Sequence, residues 1–313
     1  MRPLRRHVAI AIDGGGLRGI VVTRALQLLE AHLGRPAPEI FRLAAGTSTG
    51  SIISAGIAAG LSADALHGLY CRLGESIFRR TMRARLWPLT RYRYPLEPLL
   101  EALRGALGDL TMGDLWQSDS RHDLVITAFD LVSNHTRFIK PWKTQYLDWP
   151  LAEAVAASCA VPTYFPPLHD RYVDGGVGSY TNPCYLAAYE IAFCTNWAPR
   201  DTTLISLGTG RSPHGITPGQ VSRYHAWDWI APVVGAFLQS ADDQQVHLVN
   251  TFFSDLDFRR FQVDLAEDIP LDDIGHQTEL ERYGEILWHM ILDDRTDPIL
   301  ELEAGHLLDR EDD

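Results

Sequence analysis

The 313-residue chain carries a formal net charge of −12, with 46% hydrophobic and 22% charged residues. That length and balance predict one large α/β domain over 1–313, and the acidity argues against nucleic acid or simple adsorption to anionic bilayers. The four cysteines (Cys71, Cys159, Cys184 and Cys194) show neither a Cys-x-x-Cys pair nor a companion histidine at zinc spacing. They read as buried free thiols of a reducing compartment.

In chain order, the basic start Met1–Arg6 runs without an apolar signal segment into His7–Ile12, an apolar β-branched run that predicts a buried strand. A glycine-rich turn follows, then an amphipathic helix from about Ile20 to His32, a strand at Ile40–Ala45 and a helix at Thr49–Ala59. The uncharged stretch Leu43–Ala63 is long enough for a membrane span. Its small and glycine residues fit a strand, a tight turn and a buried helix better.

Ser62 reads as the N-cap of a helix reaching about Arg80, and Pro88, Pro95 and Pro98 break the next segment before a helix at Glu97–Leu107. Leu124–Leu131 predicts a strand with a hairpin partner at Thr136–Ile139. A helix at Pro150–Ala160 comes next, then a short strand at Tyr172–Val173, a helix at Tyr185–Thr195 and a strand at Thr203–Leu207. Beyond about 220 the chain predicts a helix (Trp227–Asn250), a strand (Arg260–Leu265) and a helix (Thr278–Leu292), and its acidic end, 305–313, reads as disordered. Strands alternating with helices indicate a mostly parallel central sheet covered on both faces. The motif-bearing core occupies about 7–210 and the elaboration about 220–295.

Three motifs carry chemistry. Gly46-Thr-Ser48-Thr-Gly50 is a G-x-S-x-G sequence between a strand and a helix, the context of a nucleophile elbow that holds its serine strained and exposed. Asp13-Gly-Gly-Gly-Leu-Arg-Gly19 also sits between a strand and a helix. Its glycines match a dinucleotide fingerprint, yet Asp13 would place a carboxylate near the pyrophosphate, and neither Glu30 nor Glu39 stands well for the acidic residue about twenty positions on. Consecutive glycines beside a helix start leave N–H groups free to stabilise an oxyanion, which suits acyl transfer better. The third motif, Tyr172-Val-Asp-Gly-Gly176, puts an aspartate at a strand end. A carboxylate there can approach a serine on a neighbouring strand end, but on its own the motif reads rather as an Asp-Gly turn. None of the twelve histidines stands in a loop signature of a Ser-His-Asp hydrolase; His67 and His247 fall in helical patterns and His214 in a Pro/Gly loop.

Taken in this order, the three motifs resemble the patatin-like phospholipase family from His7 to about Asn182, and Ser206–Gly210 and Ile269–Asp273 are similar to its members as well. The resemblance implies a patatin-like three-layer fold and a Ser–Asp dyad, with no histidine, metal or organic cofactor in the chemistry. Carried over, Ser48 attacks, Asp174 accepts its proton, and Gly14, Gly15 and Gly16 bind the oxyanion. Arg18 braces the loop, and Asp13, Gly19, Gly46, Gly50, Gly175 and Gly176 support the motifs. Ser51 stands where many relatives have glycine, and Tyr180-Thr-Asn182-Pro183 keeps only the second Asn of a common Asn-Asn-Pro. An aspartate base, with an ordinary pKa near ~3.9, needs a desolvated pocket to work at neutral pH.

The implied substrate is a membrane lipid acyl ester and the expected location the cytoplasm, with peripheral approach to a membrane. Between Glu75 and Glu97 there is no acid, while Arg79, Arg80, Arg83, Arg85, Arg91 and Arg93 alternate with Phe78, Trp87, Tyr92 and Tyr94. An interfacial surface built on Arg79, Arg80, Arg83 and Trp87 and a solvated helix end explain this stretch equally well. Two further readings stand beside hydrolysis. One is a silent lipid-binding module; the other is a phospholipase switched on by a signalling nucleotide, as in some bacterial members of the family.

Overall fold

A computed structural model describes residues 1–78, 89–117, 122–213 and 219–297. β1 (His7–Ile12) leads through the glycine turn into α1 (Gly19–Leu33); a short α2 (Ala37–Ile40) precedes β2 (Leu43–Gly46) and α3 (Thr49–Ala58). The expected strand start at Ile40 is corrected, because Pro36 sets up one helical turn there before the chain extends. Ser62 caps α4 (Ala63–Ile77) by accepting the Ala65 N–H, as expected. α5 (Glu97–Leu107) is followed by α6 (Met112–Gln117), a helix not anticipated from the sequence, then by the hairpin β3 (Asp123–Asp130) and β4 (His135–Ile139). α7 (Leu151–Cys159), β5 (Tyr172–Asp174), α8 (Cys184–Phe193), β6 (Thr202–Leu207), α9 (Ile230–Phe252), β7 (Asp257–Phe261) and α10 (Gln277–Asp293) complete the chain.

The sheet runs β4-β3-β2-β1-β6-β7. Pairings among β3, β2, β1, β6 and β7 are parallel, and β4 and β5 are antiparallel to β3. Side chains alternate between the two faces as a pleated strand requires. Ile10, Ile12, Ala44, Leu124 and Ile205 join the core beneath α1, α3, α4, α5, α7 and α10. Ala9, Ala11, Leu43, Ala45, Val125 and Leu204 face α8 and α9.

The register of β3 positions the site. Its first half pairs with β2, ending at Gly46↔Ile126, and its last three residues pair with β5, beginning at Ala128↔Asp174. Since β4 occupies the other edge over Ile126–Asp130, β5 must lie on β2's side, in line with it and running towards it. The strand carrying Asp174 and the strand leading to Ser48 therefore meet nearly end to end, with Thr127 between them.

β7 begins at Asp257, three residues before the expected Arg260. Its polar residues hide the strand, yet Arg259 and Arg260 are buried because each is paired: Arg259 with Asp257 and Arg260 with Asp13. The cysteines also need correction, since only Cys159 and Cys184 are buried; Cys71 is half-buried and Cys194 exposed. Of the arginine–aromatic stretch, Arg79, Arg80, Arg83, Arg85 and Trp87 lie outside the described residues, as do His214 and 305–313. Its described ends turn inward. Phe78 packs edge-on against the buried Tyr94, whose hydroxyl donates to Asp272, and Arg93 pairs with the same carboxylate.

Candidate active site

Ser48 sits between β2 and α3 with φ 54° and ψ −125°, a conformation that costs a non-glycine residue about 1–3 kcal/mol and persists only where the surroundings enforce it. They do. A Cβ on Gly46 would lie 2.2 Å from the Gly50 carbonyl oxygen, and one on Gly50 would lie 2.1 Å from that of Ile12. The Ser48 N–H donates to Ser158 Oγ at 2.8 Å, and its carbonyl accepts from the N–H and hydroxyl of Ser51 at 2.8 and 2.6 Å. Ser158 has no motif that would have marked it in the sequence. Ser51, a departure from the glycine of many relatives, here ties down the elbow.

The glycine turn lies beside it, with a Cβ on Gly14 only 3.3 Å from Ser48 Cβ. Gly14, expected as one of three oxyanion donors, is corrected: its N–H is taken by the Thr181 carbonyl at 2.9 Å. Among the described residues no acceptor takes the N–H of Gly15 or Gly16. Thr209 Oγ donates to the Gly14 carbonyl at 2.6 Å, Thr49 Oγ to that of Gly16 at 2.7 Å, and the Leu17 N–H reaches the Leu271 carbonyl at 2.8 Å. Arg18 braces the turn as expected, through Nε to the Gly15 carbonyl and Nη1 to Ser212 Oγ. Tyr70 and Thr49 crowd Gly19 so closely that no side chain fits there.

Below the turn the buried Asp13 carboxylate accepts both Nη groups of Arg260, which also donates to Ser206. Burial works against a charged guanidinium, but Asp13 and Asp242 outweigh it and hold Arg260 above its ordinary value. This pair anchors the start of the turn to β7.

Asp174 ends β5. Its N–H donates to the Ala160 carbonyl, and its Oδ1 accepts the Gly176 N–H at 2.7 Å. Gly175 must lack a side chain because a Cβ would fall 2.0 Å from Thr127 Oγ1. Burial pushes the Asp174 carboxyl up to about 6, opposed by hydrogen bonding to the Ser48 hydroxyl and the Gly176 N–H. The contact with Ser48 is loose: Oδ2 is buried and meets no partner in full hydrogen-bond geometry. Catalytic contacts commonly tighten only when substrate fills the site.

Ser48 opens on an apolar slot lined by Leu17, Ile52, Leu73, Ile77, Phe78 and Phe165 among others. On the opposite side of the glycine turn, a polar cavity is bordered by Asp13, Gly14, Arg18, Thr181 and Gln262. Among the described residues no histidine lines either space.

Residues 10–188, more than half of the chain, match the family described as patatin-like phospholipase. The chain belongs to that family. This patatin-like chain is 28% identical over 226 residues to an intracellular phospholipase A2 of Caenorhabditis elegans, covering 66% of its own length and 20% of the relative's. With a cGAMP-activated phospholipase of Pseudomonas aeruginosa it shares 32% over 221 residues, covering 67% and 64%. With patatin-like protein 1 of Oryza sativa it shares 28% over 320 residues, covering 83% and 75%. The chain thus spans between a fifth and three quarters of these relatives' lengths. Its mostly parallel sheet between two helical layers is the patatin-like architecture. Among the described residues no helix is long and apolar enough to cross a membrane.

Proposed function

We propose that this chain is a serine lipid acyl hydrolase of the phospholipase A or lysophospholipase type, working through Ser48 and Asp174. The observation that carries the reading is a strained serine beside a buried, desolvated carboxylate at the mouth of an apolar slot. An acyl chain in the slot brings its ester carbonyl over Ser48. As Oγ attacks the carbonyl carbon, its proton passes to Asp174 and the oxyanion lies against the N–H groups of Gly15 and Gly16. Collapse expels the alcohol, which takes the proton from Asp174. Water, deprotonated in turn by Asp174, then attacks the acyl-enzyme; the bond to Ser48 Oγ breaks, Oγ takes the proton back from Asp174, and the fatty acid leaves. The polar cavity beside Gly14 and Thr181 supports a head group on the alcohol side.

Mass spectrometry of products from a mixed phospholipid extract tests this. Fatty acid and lysolipid should appear with the wild type, and a fluorophosphonate probe should label Ser48. Release that continues in Ser48→Ala would overturn the assignment, and lipid binding without release would leave a silent module.

The likeness to cGAMP-activated phospholipases supports a second reading, in which a signalling nucleotide raises activity. A melting point unmoved by cyclic nucleotides, with full activity in their absence, argues against it.

A further inference from the structure

His67 and Cys71 stand one turn apart on α4, and Glu281 and Gln277 one turn apart on α10, spacings that put each pair on one helix face. The two faces meet. One ligand atom from each of His67, Cys71 and Glu281 lies within 4.8 Å of the others, and His67 Nε2 is 3.6 Å from Glu281 Oε1. All three side chains are half-buried, at the edge of the three-helix corner formed with α1.

The hydrogen bonds around His67 suit one tautomer. Thr23 of α1 lies 3.1 Å from both the Ile20 carbonyl and His67 Nδ1, and with its hydroxyl proton turned to the carbonyl it accepts from Nδ1. With the proton on Nδ1, the Nε2 lone pair of the neutral ring points at the Glu281 carboxylate. A positive charge between two such acceptors satisfies both, whether it is a proton on Nε2 or a metal cation. The Cys71 sulfur adds a third, softer donor, and it already accepts from the Gln277 amide at 3.1 Å. This is the outer support that metal ligands use: the far nitrogen of the ring is anchored, and the sulfur carries an N–H donor.

We propose that His67 Nε2, Cys71 Sγ and Glu281 form a binding site for a divalent zinc-like cation. One nitrogen, one sulfur and one oxygen donor match the mixed hardness of zinc better than that of magnesium or calcium. Bond lengths of about 2.0–2.3 Å to such an ion place its ligand atoms roughly 3.2–3.8 Å apart, a spacing the His67–Glu281 pair already has and the others reach by small side-chain rotations. Three protein ligands leave a fourth position for water or an exchangeable ligand. A bound ion would clamp α4 to α10, and α4 supplies Tyr70, Leu73 and Ile77 to the wall of the apolar slot. The site is separate from Ser48 and Asp174 and does not depend on how they react.

Cobalt(II) provides the probe. The full chain, reduced and stripped with chelator, should develop a thiolate-to-cobalt charge-transfer band that saturates at one equivalent and is displaced by zinc. Cys71→Ser should lose that band, whereas Cys194→Ser should keep it. Glu281→Gln, a near-isosteric change on a partly exposed side chain, should weaken zinc binding at least tenfold by competition titration. No saturable band in the wild type, or a band that persists in Cys71→Ser, overturns the site. An unchanged zinc affinity in Glu281→Gln does the same.

Discussion

Exchanging Asp174 for asparagine removes a proton acceptor and a buried charge, and the two losses act in opposite directions on rate and on stability. The rate should fall roughly 10²–10⁴-fold, the usual contribution of a general base. Stability should rise. Burial lifts the carboxyl from 3.8 to about 6, so holding it ionised in the folded state costs about 3 kcal/mol. Asparagine carries no charge, and its Oδ1 can still accept the Gly176 N–H. The sign follows from proton counts. Between 3.8 and about 6 the folded wild type holds more protons than the unfolded chain, so its stability improves as pH falls through that window. The stability advantage of Asp174→Asn should therefore be full, up to about 3 kcal/mol, at pH 8 and shrink progressively below about pH 6. The wild-type kcat/KM on a soluble ester should show an acid limb near pH 6, with about a tenth of the plateau left at pH 5. Urea denaturation at pH 8 and pH 5, run beside a chromogenic ester assay, reads both quantities. A folded variant that still turns over quickly and is no more stable than wild type at pH 8 would refute both the burial argument and the base.

Two other substitutions probe the elbow. Gly50→Ala forces a Cβ to within 2.1 Å of the Ile12 carbonyl oxygen, so it should destabilise by several kcal/mol or prevent folding. A normal melting curve with normal activity would show that strand and helix can part there. Ser158→Ala strands the buried Ser48 N–H and should cost about 1–3 kcal/mol; it should also lower kcat more than it raises KM, because it loosens the nucleophile rather than the slot. Equal stability and unchanged kcat would remove Ser158 from the site.

The parts of the site that were legible in the sequence are those written in contiguous residues. Gly46–Gly50, Asp13–Gly19 and Tyr172–Gly176 each encode a backbone shape through glycine, and each sits at the end of a strand whose apolar run announces it. What stayed hidden depends on partners far apart in the chain. Arg260 reads as the start of a strand, and nothing near it in the sequence shows that Asp13, 247 positions away, pairs with it inside the fold. The same displacement of polar residues into the core concealed the start of β7. His67 and Cys71, one helical turn apart, make only half of a ligand set, and only the packing of α4 against α10, more than 200 residues later, brings Glu281 and Gln277 to them. In the glycine turn, the engagement of the Gly14 N–H was also hidden. The tie between Gly14 and Thr181 comes from the Tyr180–Pro183 segment after the third motif, where nothing in the sequence marks a carbonyl aimed at the glycine turn.

The meeting of β2 and β5 has a consequence for how such a protein diverges. Ser48, Asp174 and the glycine turn are fixed by strand register, backbone hydrogen bonds and glycines, whereas the apolar slot is walled by Leu73, Ile77, Phe78 and Phe165 from other parts of the chain. Exchange of a wall residue changes the width or depth of the slot without moving Ser48 against Asp174. If the proposed reaction holds, a lineage built on this frame can alter its diet of acyl chains in single steps while the reaction itself is inherited intact.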